Sequence, residues 1–94
     1  VSLGRTTHMK LRSEGVTWQE IDGELVILDL KTSAYLTTNA AGTTLAKLLT
    51  EERSLDELAD ALVDAFDIDR PQALADADAF VEQLSAKSLL APID

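Results

Sequence analysis

The residues able to do chemistry are few and poorly grouped. The single histidine, His8, lies in a polar N-terminal stretch beside Met9, and the chain has no cysteine. Thiolate nucleophiles, thiolate metal sites and disulfides are therefore excluded. A Ser/His/Asp constellation would rest on His8 alone. Residues 1–9 read as a tail, a start-site or vector remnant, and residues 10–94 as one domain. Carboxylates are abundant, but they fall on patterned helix surfaces, where solvation is their ordinary role. Gly4, Gly15, Gly23 and Gly42 are too widely spaced for a phosphate-cradling loop. Enzyme chemistry is therefore thin, and no catalytic, metal or cofactor site is expected.

Charge narrows the partners. Of 94 residues, 8 are Lys or Arg and 17 are Asp or Glu, for a net charge of −9. Residues 1–50 hold five acids and five bases, so residues 51–94 carry the whole imbalance. A nucleic-acid partner is disfavoured, because duplex binding needs a basic face. An anionic membrane surface is disfavoured for the same reason. No apolar run approaches the ~20 residues that span a bilayer, and no basic-then-apolar signal segment opens the chain. With the absence of Cys, this fits a cytoplasmic location. Aromatic anchors are limited to Trp18, Tyr35, Phe66 and Phe80.

The elements change character near residue 39. Val16–Asp22 mixes β-branched, aromatic and polar residues and reads as a strand. Asp22-Gly23 is a hairpin-turn pair, since both residues tolerate positive φ. Leu25–Leu30 is nearly continuous apolar, as a covered central strand requires. Lys31-Thr32-Ser33 reads as a second turn before a short strand over Ala34–Thr38. Three strands joined by two tight turns make an antiparallel meander. The last strand has one neighbour in it, which leaves an edge free.

Helical signals follow. Asn39 suits an N-cap. Leu45, Leu48 and Leu49 mark a helix over about 40–50, with Gly42 expected to pack closely on the sheet. Ser54 and Glu57 form a capping box. The helix they open puts Leu55, Leu58, Leu62 and Phe66 on one face. Asp56, Asp60 and Asp64 form an acidic row on another, a like-charge spacing that costs a few tenths of a kcal/mol per pair. Pro71 opens a third helix that runs to about Ser88. Ala73, Ala77, Phe80 and Leu84 form its apolar stripe. Leu74, Asp78, Val81 and Ser85 form an adjacent, half-apolar one. The order is α+β, a three-stranded antiparallel sheet followed by three helices, and it resembles a winged helix. A free sheet edge is also a template for an incoming peptide strand. The short strand and the half-apolar helix stripe would bound such a groove.

Val16 to Leu90 resembles the PqqD-like domains, the recognition elements of ribosomally made, modified peptides. The resemblance rests on order and spacing. A glycine-broken hairpin leads into an apolar strand at Asp22–Leu28. A Tyr-bearing strand runs into Asn at Ala34–Asn39, with Gly42 following. Ser54–Leu58 opens the second helix. Asp76, Phe80 and Leu84 keep the spacing of the third, before Leu89-Leu90. Thr38 departs from a common Leu, and Ser88 from a common Gly.

The resemblance implies a winged-helix-like, non-catalytic peptide chaperone. It would bind a precursor's leader segment as an added strand along the backbone of Ala34, Tyr35, Leu36, Thr37 and Thr38. Leu74, Asp78, Val81 and Ser85 would line the opposite wall. Asp76 and Glu82 are candidates for pairing with a basic leader residue. Tyr35 and Leu36 point to opposite faces of the strand, and the sequence leaves open which is core. A free-standing acidic version is most similar to the leader-binding proteins of lasso peptide biosynthesis, an antibiotic-producing pathway. The partners implied there are a leader peptidase and a cyclase. The alternatives are a chaperone of the PQQ pathway partnering a radical-SAM enzyme and, from another class, an acyl carrier protein with Ser54 as its prosthetic-group site. A carrier usually has Asp before that Ser, and Arg53 stands here.

Overall fold

A computed structural model describes residues 8–91 of the chain. In chain order its elements are β1 (His8–Met9), β2 (Val16–Ile21), β3 (Glu24–Asp29), β4 (Tyr35–Thr37), α1 (Ala40–Leu48), β5 (Arg53–Ser54), α2 (Leu55–Phe66) and α3 (Arg70–Ala86). β2, β3 and β4 form the expected antiparallel meander with β3 at its centre. Asp22 and Gly23 both take positive φ, +53° and +81°, the conformation a two-residue hairpin needs to match strand twist. β3 alternates strictly. Leu25, Ile27 and Asp29 are buried, while Val26 and Leu28 are half-buried on the outer face.

Each helix starts where its sequence can satisfy unpaired amides. The Asn39 side chain accepts from Gly42 N at 2.9 Å. Ser54 and Glu57 complete the capping box at 2.9 and 3.2 Å. Asp69 accepts from Gln72 N at 3.2 Å, with Pro71 in the first turn of α3. Leu55, Leu58 and Leu62 of α2 and Ala73, Ala77, Phe80 and Leu84 of α3 join the sheet's inner face in one core. Phe66, expected on the apolar face, is exposed, and so are Trp18 and Tyr35. Phe66 ends its helix just before a left-handed Asp67, beyond the packed turns. Phe80 alone among the four aromatics is core. The acidic row on α2 does not stand unopposed, because Arg70 bridges Asp56 (3.0 Å) and Asp60. No helix of the described residues is long and apolar enough to cross a membrane.

The segments flanking these elements are stitched together. Met9 is 1% exposed, and β1 pairs with β5. The last two residues of the expected tail thus belong to the fold; residues 1–7 lie outside the described residues. Further on, Arg12 N donates to Leu89 O, Ala91 N donates to Lys10 O, and Leu11 bridges Leu90.

Asp29 is the buried polar knot of this arrangement, at 1% exposure. Its carboxylate accepts from Lys31 N (2.9 Å), Thr32 N (3.4 Å) and Arg12 Nη1 (3.1 Å). Arg12 Nη1 also donates to Ser88 O at 2.7 Å. Ser88 sits at φ +58°, the left-handed region that a glycine takes without strain. The Lys31 amide, then the Thr32 amide and the Arg12 guanidinium, hold the Asp29 carboxyl below its ordinary 3.8 against the cost of burial. A depressed folded-state value gives stability that is present above the unfolded value and lost as pH falls through the folded one. Asp29→Asn is therefore expected to unfold at lower urea than the parent at neutral pH. The gap between them should stay constant down to about pH 5 and close at lower pH, as followed by circular dichroism.

Candidate functional site

The hydrogen-bond parity of β4 decides which of its backbone groups are free. Thr38 N donates to Leu25 O and Asp29 N donates to Ala34 O, both at 2.8 Å, and Leu36 is opposite Ile27. Ala34, Leu36 and Thr38 thus face β3. Alternation in an antiparallel ladder turns the N–H and C=O of Tyr35 and Thr37 the other way. Among the described residues no strand pairs with β4 on that side. Side chains alternate as well: Leu36 is in the core, while Tyr35, 62% exposed, and Thr37 face solvent.

A cavity of about 540 Å³ opens at the exit end of β4. Thr37, Thr38 and Asn39 line it from β4 and its exit, and Ala41, Gly42 and Leu45 from α1. α3 contributes Asp76, Ala79, Phe80 and Gln83, and Glu24 borders it from the start of β3. The floor is apolar and made largely of small side chains, and the rim is polar. Two carboxylates lie on it, and no lysine or arginine does.

Of the expected α3 wall, only Asp76 borders this cavity. Val81, 4% exposed, is core, and Leu74 is half-buried against the core. Asp78, Glu82 and Ser85 are exposed and lie away from the cavity lining. The half-apolar stripe and the cavity-facing residues sit on opposite flanks of the Ala73/Ala77/Phe80/Leu84 core arc. Either flank satisfies the same 3.6-residue period, so periodicity alone does not choose between them. Glu24, Asn39, Ala41, Gly42, Leu45, Ala79, Phe80 and Gln83 escaped the sequence reading as site residues. The one available signal was Gly42, already expected to make a close approach.

Other chemistry is thin. Ser54 is buried, with Oγ accepting from Glu57 N, an arrangement opposed to a prosthetic-group site. His8 Nε2 is 3.6 Å from Glu57 Oε1. Among the described residues no three His, Asp or Glu side chains are gathered to hold a metal.

Residues 24–90 match the family model described as Coenzyme PQQ synthesis protein D (PqqD). No curated protein sequence matches the chain significantly. Among solved structures, the chain is similar to TbiB1 in complex with the TbiA(beta) leader peptide. The two are 34% identical with a TM-score of 0.79, over 92% of this chain and 99% of that one. A lasso peptide synthetase B1 complexed with its leader peptide shares the fold, at 22% identity and a TM-score of 0.78, over 92% of this chain and 100% of that one.

Gly42 sets how closely α1 approaches the end of β4. A Cβ there would lie 2.9 Å from Thr38 Cβ and 3.2 Å from Phe80 Cε1. Gly42→Ala would gain helix propensity, but the overpacking is expected to dominate at roughly 1–3 kcal/mol. The variant should unfold at lower urea than the parent, and an unchanged midpoint would show that Thr38 and Phe80 can give way.

Proposed function

The chain belongs to the PqqD family, and from that premise we propose that it binds the leader segment of a ribosomally made precursor peptide. The leader adds as an antiparallel strand to β4, and the bound precursor is delivered to the leader peptidase and cyclase of a lasso peptide pathway. The observation that carries the reading is the free edge of β4 beside a cavity large enough for several side chains. Strand addition draws affinity from main-chain hydrogen bonds and selectivity from pockets for alternate side chains. Tyr35 and Thr37 offer two N–H and two C=O groups to such a strand. The Leu45 and Phe80 floor takes an apolar side chain of the leader, and the small Ala41, Gly42 and Ala79 leave it room.

The leader peptides bound by the two structural relatives support this reading, and the likeness to a lasso peptide synthetase B1 favours a lasso pathway over the PQQ pathway. The wall opposite β4 is then Asp76, Ala79, Phe80 and Gln83 in place of Leu74, Asp78, Val81, Glu82 and Ser85. The main-chain partners within Ala34–Thr38 reduce to Tyr35 and Thr37, since the other three are committed to β3. The domain proper begins at His8 in this reading, ahead of the expected boundary at residue 10.

Two measurements test it. Titration of the ¹⁵N-labelled protein with the TbiA(beta) leader peptide should shift the amides of Tyr35 and Thr37, together with those of residues 76–83. Shifts confined to α2, or none, would sink the groove assignment. Thr37→Pro removes an edge donor without touching the β3 ladder, whereas Leu36→Pro would break that ladder. A folded Thr37→Pro protein should bind the leader roughly tenfold or more weakly, equivalent to one net hydrogen bond. Unchanged affinity would count against strand addition there.

A further inference from the structure

The groove is chemically one-sided. Glu24 borders it from the sheet and Asp76 from α3, and no basic side chain lines it. Six acids elsewhere among the described residues are paired with cations, and the others, Asp78 and Glu82 of α3 among them, are not. Asp29 has Arg12, Glu20 has Lys47, and Glu51 and Glu57 have Arg53. Asp56 and Asp60 share Arg70. Glu24 and Asp76 have no cation within salt-bridge distance among the described residues. The one hydrogen bond to Asp76 comes from the neutral Gln72 Nε2, at 2.8 Å. Two carboxylates on facing walls, beside unpaired main-chain groups, set a negative potential that a peptide strand entering the groove must meet.

We infer that Glu24 and Asp76 select leader peptides that place a Lys or Arg side chain at one position of the added strand. The inference rests on the strand-addition reading and adds the specificity element to it. The cation is read at the rim, while the Leu45 and Phe80 floor takes an apolar neighbour. An acidic residue at the same leader position is rejected, because like charges would be brought together with no counter-ion on the groove wall. Both carboxylates are solvent-exposed, so the discrimination is modest and sensitive to salt. Asp78 and Glu82, also acidic and on the same helix, stand off the groove and take no part.

The test uses the TbiA(beta) leader peptide with each position replaced in turn by Lys and by Glu, titrated calorimetrically at low and at high salt. One position is expected at which the Lys peptide binds about fivefold more tightly than the Glu peptide at low salt. That gap should shrink at high salt and disappear in Glu24→Gln/Asp76→Asn. Neither side chain holds a buried partner, so the double variant should keep the parent's urea midpoint. If it does not fold, Glu24→Gln and Asp76→Asn are compared singly, and each should narrow the gap. A flat scan, or a gap that survives these substitutions, overturns the inference while leaving strand addition intact. Failure of the unsubstituted leader to shift the Tyr35 and Thr37 amides overturns the groove reading, and this inference with it.

Discussion

Thr38 is held from three directions, and the geometry of the groove depends on that hold. Its N–H donates to Leu25 O, its Oγ1 accepts from Leu25 N at 3.0 Å, and the same oxygen is 2.7 Å from Thr43 Oγ1. These bonds lock the end of β4 to the start of β3 and to the first turn of α1. A strand of three residues would otherwise be free to slip, and a one-residue slip exchanges every side chain between faces. It would equally exchange which backbone groups meet β3 and which meet the open edge. The buried hydroxyls are mutually satisfied, so Thr38 can sit at a position where the family pattern has a leucine. No buried side-chain polar atom among the described residues lacks a partner.

A second constraint acts at the far end of the same strand. The buried Asp29 carboxylate holds the turn at residues 31–33 and the N-terminal segment through Arg12, and Arg12 in turn donates to Ser88 O just beyond α3. β4 is thus pinned at its exit by a hydroxyl pair and ahead of its start by the turn that Asp29 organises. Between the pins only Tyr35 and Thr37 present unpaired main chain. A rigid edge is what strand addition requires, because a binding partner then does not have to order it. The same pin explains why residues 8–12 are integral. They pack Met9 and Leu11 into the core and supply the guanidinium that Asp29 needs.

The charge of −9 divides by environment. On α2 much of it is internal, because Arg70 returns from the start of α3 to bridge two turns of the acidic row. The acids at the groove have no such counter-ion.

Much of the fold was legible in the residues. Asp22-Gly23, the Ser54–Glu57 capping box and the Ala73/Ala77/Phe80/Leu84 stripe specify their elements through local dihedral preference, local hydrogen bonds and helical period. The family pattern rests on the same local signals. The free edge of the meander was legible too, since three consecutive strands leave one edge open. Which face of α3 meets that edge was not. Leu74, Asp78, Val81 and Ser85 lie on one flank of the core arc and Asp76, Ala79 and Gln83 on the other, and a period gives angles about the helix axis without saying what lies beyond it. The choice belongs to tertiary packing. So does the roster of free groups, Tyr35 and Thr37, because hydrogen-bond parity follows from register. The burial of Met9 against the helices is of the same kind, a contact between segments distant in sequence. Sequence determined the elements and the likeness, through interactions spanning a few residues; tertiary structure decided the wall, the register and the rim charges, through contacts that exist only once those elements have met.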